Sequence, residues 1–215
     1  SEIGGDGAKN NFTYVYHSMY GDGIWFDGMN YPYGEHIVYT DGQPVISVIL
    51  SHFNNITPGK ALSVMWLLIG LSYVLSSVYL YKILVHFKVG PLIAMIFAGL
   101  ICIFSPQLFR LQGHYALAYS CIIPMMFFWT IKYNAQYKFR YCVYFFITGC
   151  LMGFIHPYFA AMLMVWVFSY SFAYCVCGQE KLKANVLRVL PLVITVVAVF
   201  AVIAITMKLT DPVKD

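Results

Sequence analysis

Charge is what this sequence lacks most. Only 10% of its 215 residues are Asp, Glu, Lys or Arg, against roughly a quarter in soluble domains. Acid is scarcer still beyond the opening segment: six of the nine Asp and Glu residues (Glu2, Asp6, Asp22, Asp27, Glu35, Asp41) fall in the first sixty positions. With 60% hydrophobic residues and a mean hydropathy of +0.71, the chain cannot solvate itself as a soluble domain and is expected to be an all-α integral membrane protein. There is no basic cluster of the kind that binds nucleic acid. The six cysteines (Cys102, Cys121, Cys142, Cys150, Cys175, Cys177) all lie in or beside apolar runs, so neither a disulfide framework nor a zinc site is indicated, and they read as small apolar fillers. No repeat or low-complexity tract is present. Neither an initiator Met nor a signal peptide precedes Ser1, which leads us to expect a fragment lacking an upstream span and a C-terminal part.

What is there divides in two. Residues 1–59 form a polar, aromatic segment punctuated by the turn dipeptides Asp22-Gly23, Asp27-Gly28, Tyr33-Gly34, Asp41-Gly42 and Pro58-Gly59. Two short helices are expected in it. The first begins after Asp6 as N-cap, runs to about Met19 and presents an apolar face of Phe12, Val15, Tyr16 and Met19. The second runs from Pro44 to about His52. Residues 60–215 form a helical bundle of about six transmembrane segments, near 61–81, 91–105, 116–131, 141–156, 157–177 and 189–209. Several fall short of the ~20 residues that a perpendicular span needs.

The connections after the first, third and fifth segments carry Lys82 and Lys88, then Lys132, Lys138 and Arg140, then Lys181, Lys183 and Arg188. Positive loops face the cytoplasm. Residues 1–60, the loop 105–115, His156-Pro157 and the tail 211–215 then share the outer side.

The outer side collects the groups with chemistry to offer. Asp6, between two glycines, is either a helix cap or a general base whose pKa desolvation at the membrane edge would raise. Glu35, His36 and Asp41 lie within seven residues and could ligate a divalent metal or share protons, or could simply be turn and solvent-facing residues. Asp22 and Asp27 read as turn residues. Ser105-Pro106 is a helix start, after which Gln107, Arg110 and His114 share a face; a cation beside an imidazole suits an anion, while a snorkelling Arg110 is the plainer alternative. His156-Pro157 breaks the chain at the same face, as a plain turn or as part of the site. Tyr31, Tyr33 and Tyr39 suit either sugar stacking or an interfacial belt.

The runs Gly5-Asp6-Gly7-Ala8-Lys9-Asn10, Met29-Asn30-Tyr31-Pro32-Tyr33-Gly34-Glu35-His36, Arg110-Leu111-Gln112-Gly113-His114 and His156-Pro157 resemble bacterial multi-pass proteins grouped with YfhO-like and other GT-C membrane glycosyltransferases. The resemblance implies an inner-membrane enzyme that moves a sugar from a polyprenyl-phosphate lipid to a glycan or lipid acceptor on the non-cytoplasmic face. Asp6 would be its base, and Lys9, Arg110 and His114 would hold the donor phosphate. Glu35, His36, Asp41 and His156 would serve substrate or a divalent metal, although Asp6 has no second acid beside it. The rival readings are a transporter or flippase of a lipid-linked or anionic solute, which would need charge near the bilayer midplane, and a non-catalytic scaffold whose outer polar groups share no pocket.

Overall fold

The computed structural model describes residues 5–178 and 180–211; Glu2 and the tail beyond Asp211 lie outside the described residues. It is an all-α multi-pass membrane protein. A polar cap contains α1 (Asp6–Tyr20), a two-stranded antiparallel ribbon of β1 (Trp25–Phe26) and β2 (Glu35–His36), and α2 (Pro44–Ser51). The bundle follows with α3 (Pro58–His86), α4 (Pro91–Ile103), α5 (Ile122–Gln136), α6 (Arg140–Gly153), α7 (Pro157–Cys177) and α8 (Leu182–Thr210). A 3₁₀ segment, Pro106–Gln112, lies between α4 and α5.

Proline starts most of these helices. Pro44, Pro58, Pro91, Pro106 and Pro157 each stand in a first turn, where the missing N–H costs nothing. Thr57 caps α3 by accepting from the Lys60 amide, and Ser105 caps the 3₁₀ segment by accepting from that of Gln107. Pro191 lies inside α8, where it deprives the Leu187 carbonyl of its usual donor. The Tyr137 hydroxyl donates to that carbonyl at 3.2 Å instead.

Among the described residues, five stretches are long and apolar enough to cross a membrane: Pro58–His86, Pro91–Gln112, Tyr115–Gln136, Pro157–Cys177 and Leu182–Thr210. The sixth expected segment is α6, whose 14 residues rise only about 21 Å. It nonetheless runs from one end of the bundle to the other. Arg140 bonds Gln136 at the close of α5, while the Phe154 carbonyl, just past the end of α6, accepts from Val45 of the cap. Glycine lets α6 sit deep in the bundle. A Cβ on Gly149 would lie 2.7 Å from Leu163 and 2.9 Å from Val199, and one on Gly153 would lie 2.6 Å from Ile203.

The first helix differs from expectation in two ways. Asp6 is its first residue rather than its cap, which is Gly5, and no side chain caps this end. Its buried face is also the polar one: Gly7, Asn10, Thr13, Tyr14, His17 and Ser18 are covered, while Phe12 and Tyr20 are exposed. The cause is the surface beneath. Asn10 Nδ2 donates to the Gly113 carbonyl at 2.7 Å and the Tyr14 hydroxyl to the Ala61 carbonyl at 3.0 Å, so α1 rests on backbone acceptors. Its aromatics are left for the interface, where such rings are stable.

Candidate functional site

The most connected polar group in the cap is Asp41. The turn that carries it is fixed by Thr40, whose Oγ1 donates to the Ile37 carbonyl at 2.8 Å and accepts from the Gly42 amide. Gln43, buried beyond the turn, accepts from the Tyr119 hydroxyl at 2.8 Å. Asp41 itself adopts a positive φ of 58°, a region that Asp tolerates better than most residues. Its Oδ1 meets His156 Nε2 at 3.0 Å and its Oδ2 meets Lys9 Nζ at 3.3 Å.

His156 is not a plain turn residue. Its Nδ1 accepts from the Tyr158 amide at 3.2 Å, capping α7, so the ring proton sits on Nε2 and is donated to Asp41. The bond from His156 and the Lys9 cation outweigh partial burial and hold the Asp41 carboxyl below its ordinary range.

Asp6 lies on the next turn of α1 from Lys9, three residues away, and faces His114 at 3.7 Å. The loop that brings His114 there is clamped to α1 at Gly113. A Cβ on Gly113 would come within 3.2 Å of the Gly7 amide nitrogen, so only a glycine lets the two backbones approach without a shift. The Asp6 side chain remains 72% exposed, whereas that of Asp41 is 36% exposed and already committed to two partners. Of these two, Asp6 is therefore the carboxylate more open to an incoming molecule.

Arg110 points elsewhere. With Gln107 it lines a hollow of about 750 Å³ between α5 and α7, whose walls include Ile123, Met126, Met162 and Trp166. The two share a face of the 3₁₀ segment, as their spacing predicts, but His114 does not join them because the chain turns at Gly113 toward Asp6. Asp6, Arg110 and His114 therefore do not line one cavity: Arg110 faces the hollow, while Asp6 and His114 meet at the start of α1. A link between the hollow and the carboxylates runs through Tyr158, which lines it and packs its ring 4.6 Å from that of His156. No spacing in the sequence pointed to Tyr158; only the packing of α7 does.

Glu35, His36 and Asp41 do not gather. Glu35 pairs with Phe26 in the ribbon. His36 turns to the end of α8, accepting from the Val38 amide on Nδ1 and donating from Nε2 to Thr210 Oγ1 at 2.9 Å; burial lowers its pKa. Among the described residues, no three His, Cys, Asp or Glu side chains converge as a metal site. Tyr31, Tyr33 and Tyr39 are exposed on the cap.

Neither a curated protein nor a solved structure matches the chain. A family profile does, over residues 14–213, a span that contains Asp41, Arg110, His114 and His156 and begins after Asp6 and Lys9. The chain thus belongs to the family described as Domain of unknown function (DUF6311).

Proposed function

We propose that this protein is a membrane glycosyltransferase of GT-C type. It transfers a sugar from a polyprenyl-phosphate donor to a glycan or lipid acceptor at the cap end of the bundle. The observation that carries the reading is the hollow between α5 and α7. Its walls are apolar along most of their length and it has one cation, Arg110, which is the lining a phosphate on a long hydrocarbon requires. The opposite end of the bundle carries Lys88, Lys138, Arg140, Lys181 and Lys183, which supports placing that end in the cytoplasm of a bacterial inner membrane and the cap outside.

In this reading the donor must reach from the hollow at Arg110 to Asp6, which lie apart. The acceptor hydroxyl attacks the anomeric carbon of the donor sugar while the bond from that carbon to the phosphate oxygen breaks. Asp6 takes the hydroxyl proton, and the departing phosphate keeps the electron pair, its charge met by Arg110. His114 orients the Asp6 carboxylate. Lys9 is engaged with Asp41 and shapes the potential at a distance. Stabilising charge on a leaving group in this way is commonly the largest catalytic term.

The test uses purified full-length protein in nanodiscs with a polyprenyl-phosphate sugar donor. Asp6→Asn should lower transfer by about 100-fold, the usual scale for losing a positioned general base, and Arg110→Gln should raise the donor concentration needed. Full activity in Asp6→Asn with loss in Asp41→Asn would move the base to Asp41. Full activity in both, or no transfer by the parent, would end the assignment.

A further inference from the structure

A second hollow lies at the far end of α1 from Asp6, about 20 Å along the helix at 1.5 Å per residue, and no role in sugar transfer falls to it. It encloses about 230 Å³ where the last turn of α1 meets β1, and its lining includes Tyr16, Tyr20, Trp25 and Phe26 together with Asp22 and Asp27. That is smaller than the ~300–1,000 Å³ of pockets for drug-sized ligands and fits one small group.

The lining is selective in charge. Neither the Asp22 nor the Asp27 carboxylate has a hydrogen bond or ion pair among the described residues, although the Asp22 backbone bridges to Trp25, and no Lys or Arg borders the hollow. The rings meet at steep angles, Tyr16 to Phe26 at 89° with centroids 5.7 Å apart and Tyr16 to Tyr20 at 56° and 5.2 Å, so they form walls rather than a flat stack. The floor is closed by Gly21 and the ring beneath it. Gly21 lines the hollow without a side chain, and a Cβ there would come within 2.7 Å of His17 Nε2. The His17 ring beneath it is fully buried and does not line the hollow.

Two unpaired carboxylates, electron-rich ring walls and the absence of a bordering cation favour one ligand class. We propose that this hollow binds an organic ammonium group, primary or quaternary, held by the ring walls and by Asp22 and Asp27. A cation is attracted to the faces of aromatic rings, and the carboxylates add charge of the matching sign. A neutral sugar would use the rings but leave the two negative charges uncompensated.

The test is saturation-transfer NMR on the full chain in phosphatidylglycerol nanodiscs, which carry no lipid amine, with choline, ethanolamine and glucose as separate probes. Choline should saturate. Asp22→Asn combined with Asp27→Asn, and separately Tyr20→Ala, should each weaken it by about fivefold or more. The two carboxylates are exposed and make no side-chain bond, so the unfolding temperature of the double Asn variant should not move. Failure of both amines to saturate would overturn the proposal, as would affinities indifferent to both variants. Saturation by glucose alone, lost in the same variants, would overturn it in favour of a saccharide site. Sugar transfer is assayed separately, so failure here leaves the glycosyltransferase reading standing.

Discussion

His156 donates to Asp41 across 115 positions of sequence, through a 3.0 Å hydrogen bond that ties the N-terminal cap to the first turn of α7. The same ring caps that turn. His156→Ala should therefore lose two contributions at once, about 2 kcal/mol in all once the partial exposure of Asp41 is discounted. His156→Asn can still cap and should recover roughly half of that. Thermal unfolding of the purified variants in one detergent checks both values.

The same pair gives a pH dependence of definite sign. Because the folded Asp41 carboxyl titrates below its ordinary value of 3.8, its stabilisation is complete above that value and is lost as pH falls through the lower folded value. Unfolding temperatures followed from about pH 6 to about pH 3 should show an acid-side decline that is shallower in Asp41→Asn. An identical slope in the variant would remove Asp41 as its source.

Asn10 is the cap's anchor on the 104–121 loop, being 3% exposed with its Nδ2 bonded to the Gly113 carbonyl. Asn10→Ala leaves that carbonyl unpaired and should cost about 1–3 kcal/mol, the usual penalty for a stranded buried polar group. The Asp6 to His114 contact should loosen with it. Limited proteolysis of the segment ahead of α2 reports the loosening directly.

Filling the α5–α7 hollow tests its use without touching a polar group. Ala161 lines it, so Ala161→Trp should obstruct a bound hydrocarbon chain while Arg110 stays in place. Donor lipid should then bind at least about tenfold more weakly, with Asp6 and Asp41 untouched. Unaltered binding would show that the chain lies elsewhere.

Orientation is measurable in a background with all six cysteines replaced. A single cysteine at Lys138 or Lys183 should resist an impermeant thiol reagent in intact cells, while one at Tyr31, on the exposed cap surface, should react. The reverse pattern would invert the bundle.

Hydropathy made the helices legible because each apolar run is bounded by proline or a turn: Pro91 and Pro157 mark two starts to the residue, while α3 opens at Pro58, ahead of the expected 61, because a proline read as a turn stands in its first turn. Where polarity and burial disagree, the sequence misleads. Leu182 opens α8 seven positions ahead of the expected 189 because Lys183 and Arg188 extend a helix that pattern alone would end at the charges. On α1 the apolar residues looked like the buried face, yet the available partners were backbone carbonyls, which favoured Asn10 and Tyr14. The polar site was legible as a list of residues but not as pairings. Asp6 with His114 and Asp41 with His156 bridge loops far apart in the chain, and no local spacing encodes such a contact. The Glu35-His36-Asp41 run failed for the converse reason: neighbours in sequence were sent apart by the ribbon and the turn.

The shortness of α6 has a consequence for the membrane itself. A helix of about 21 Å sits in a hydrocarbon layer about 30 Å thick, flanked by α8, whose 29 residues would reach past both edges if upright. The lipid beside the exposed Val143, Ile147 and Leu151 must adapt to the shorter neighbour, so headgroups are drawn inward there. Local thinning of the bilayer along that flank is one response to such a mismatch, and it would favour shorter-chain lipids there.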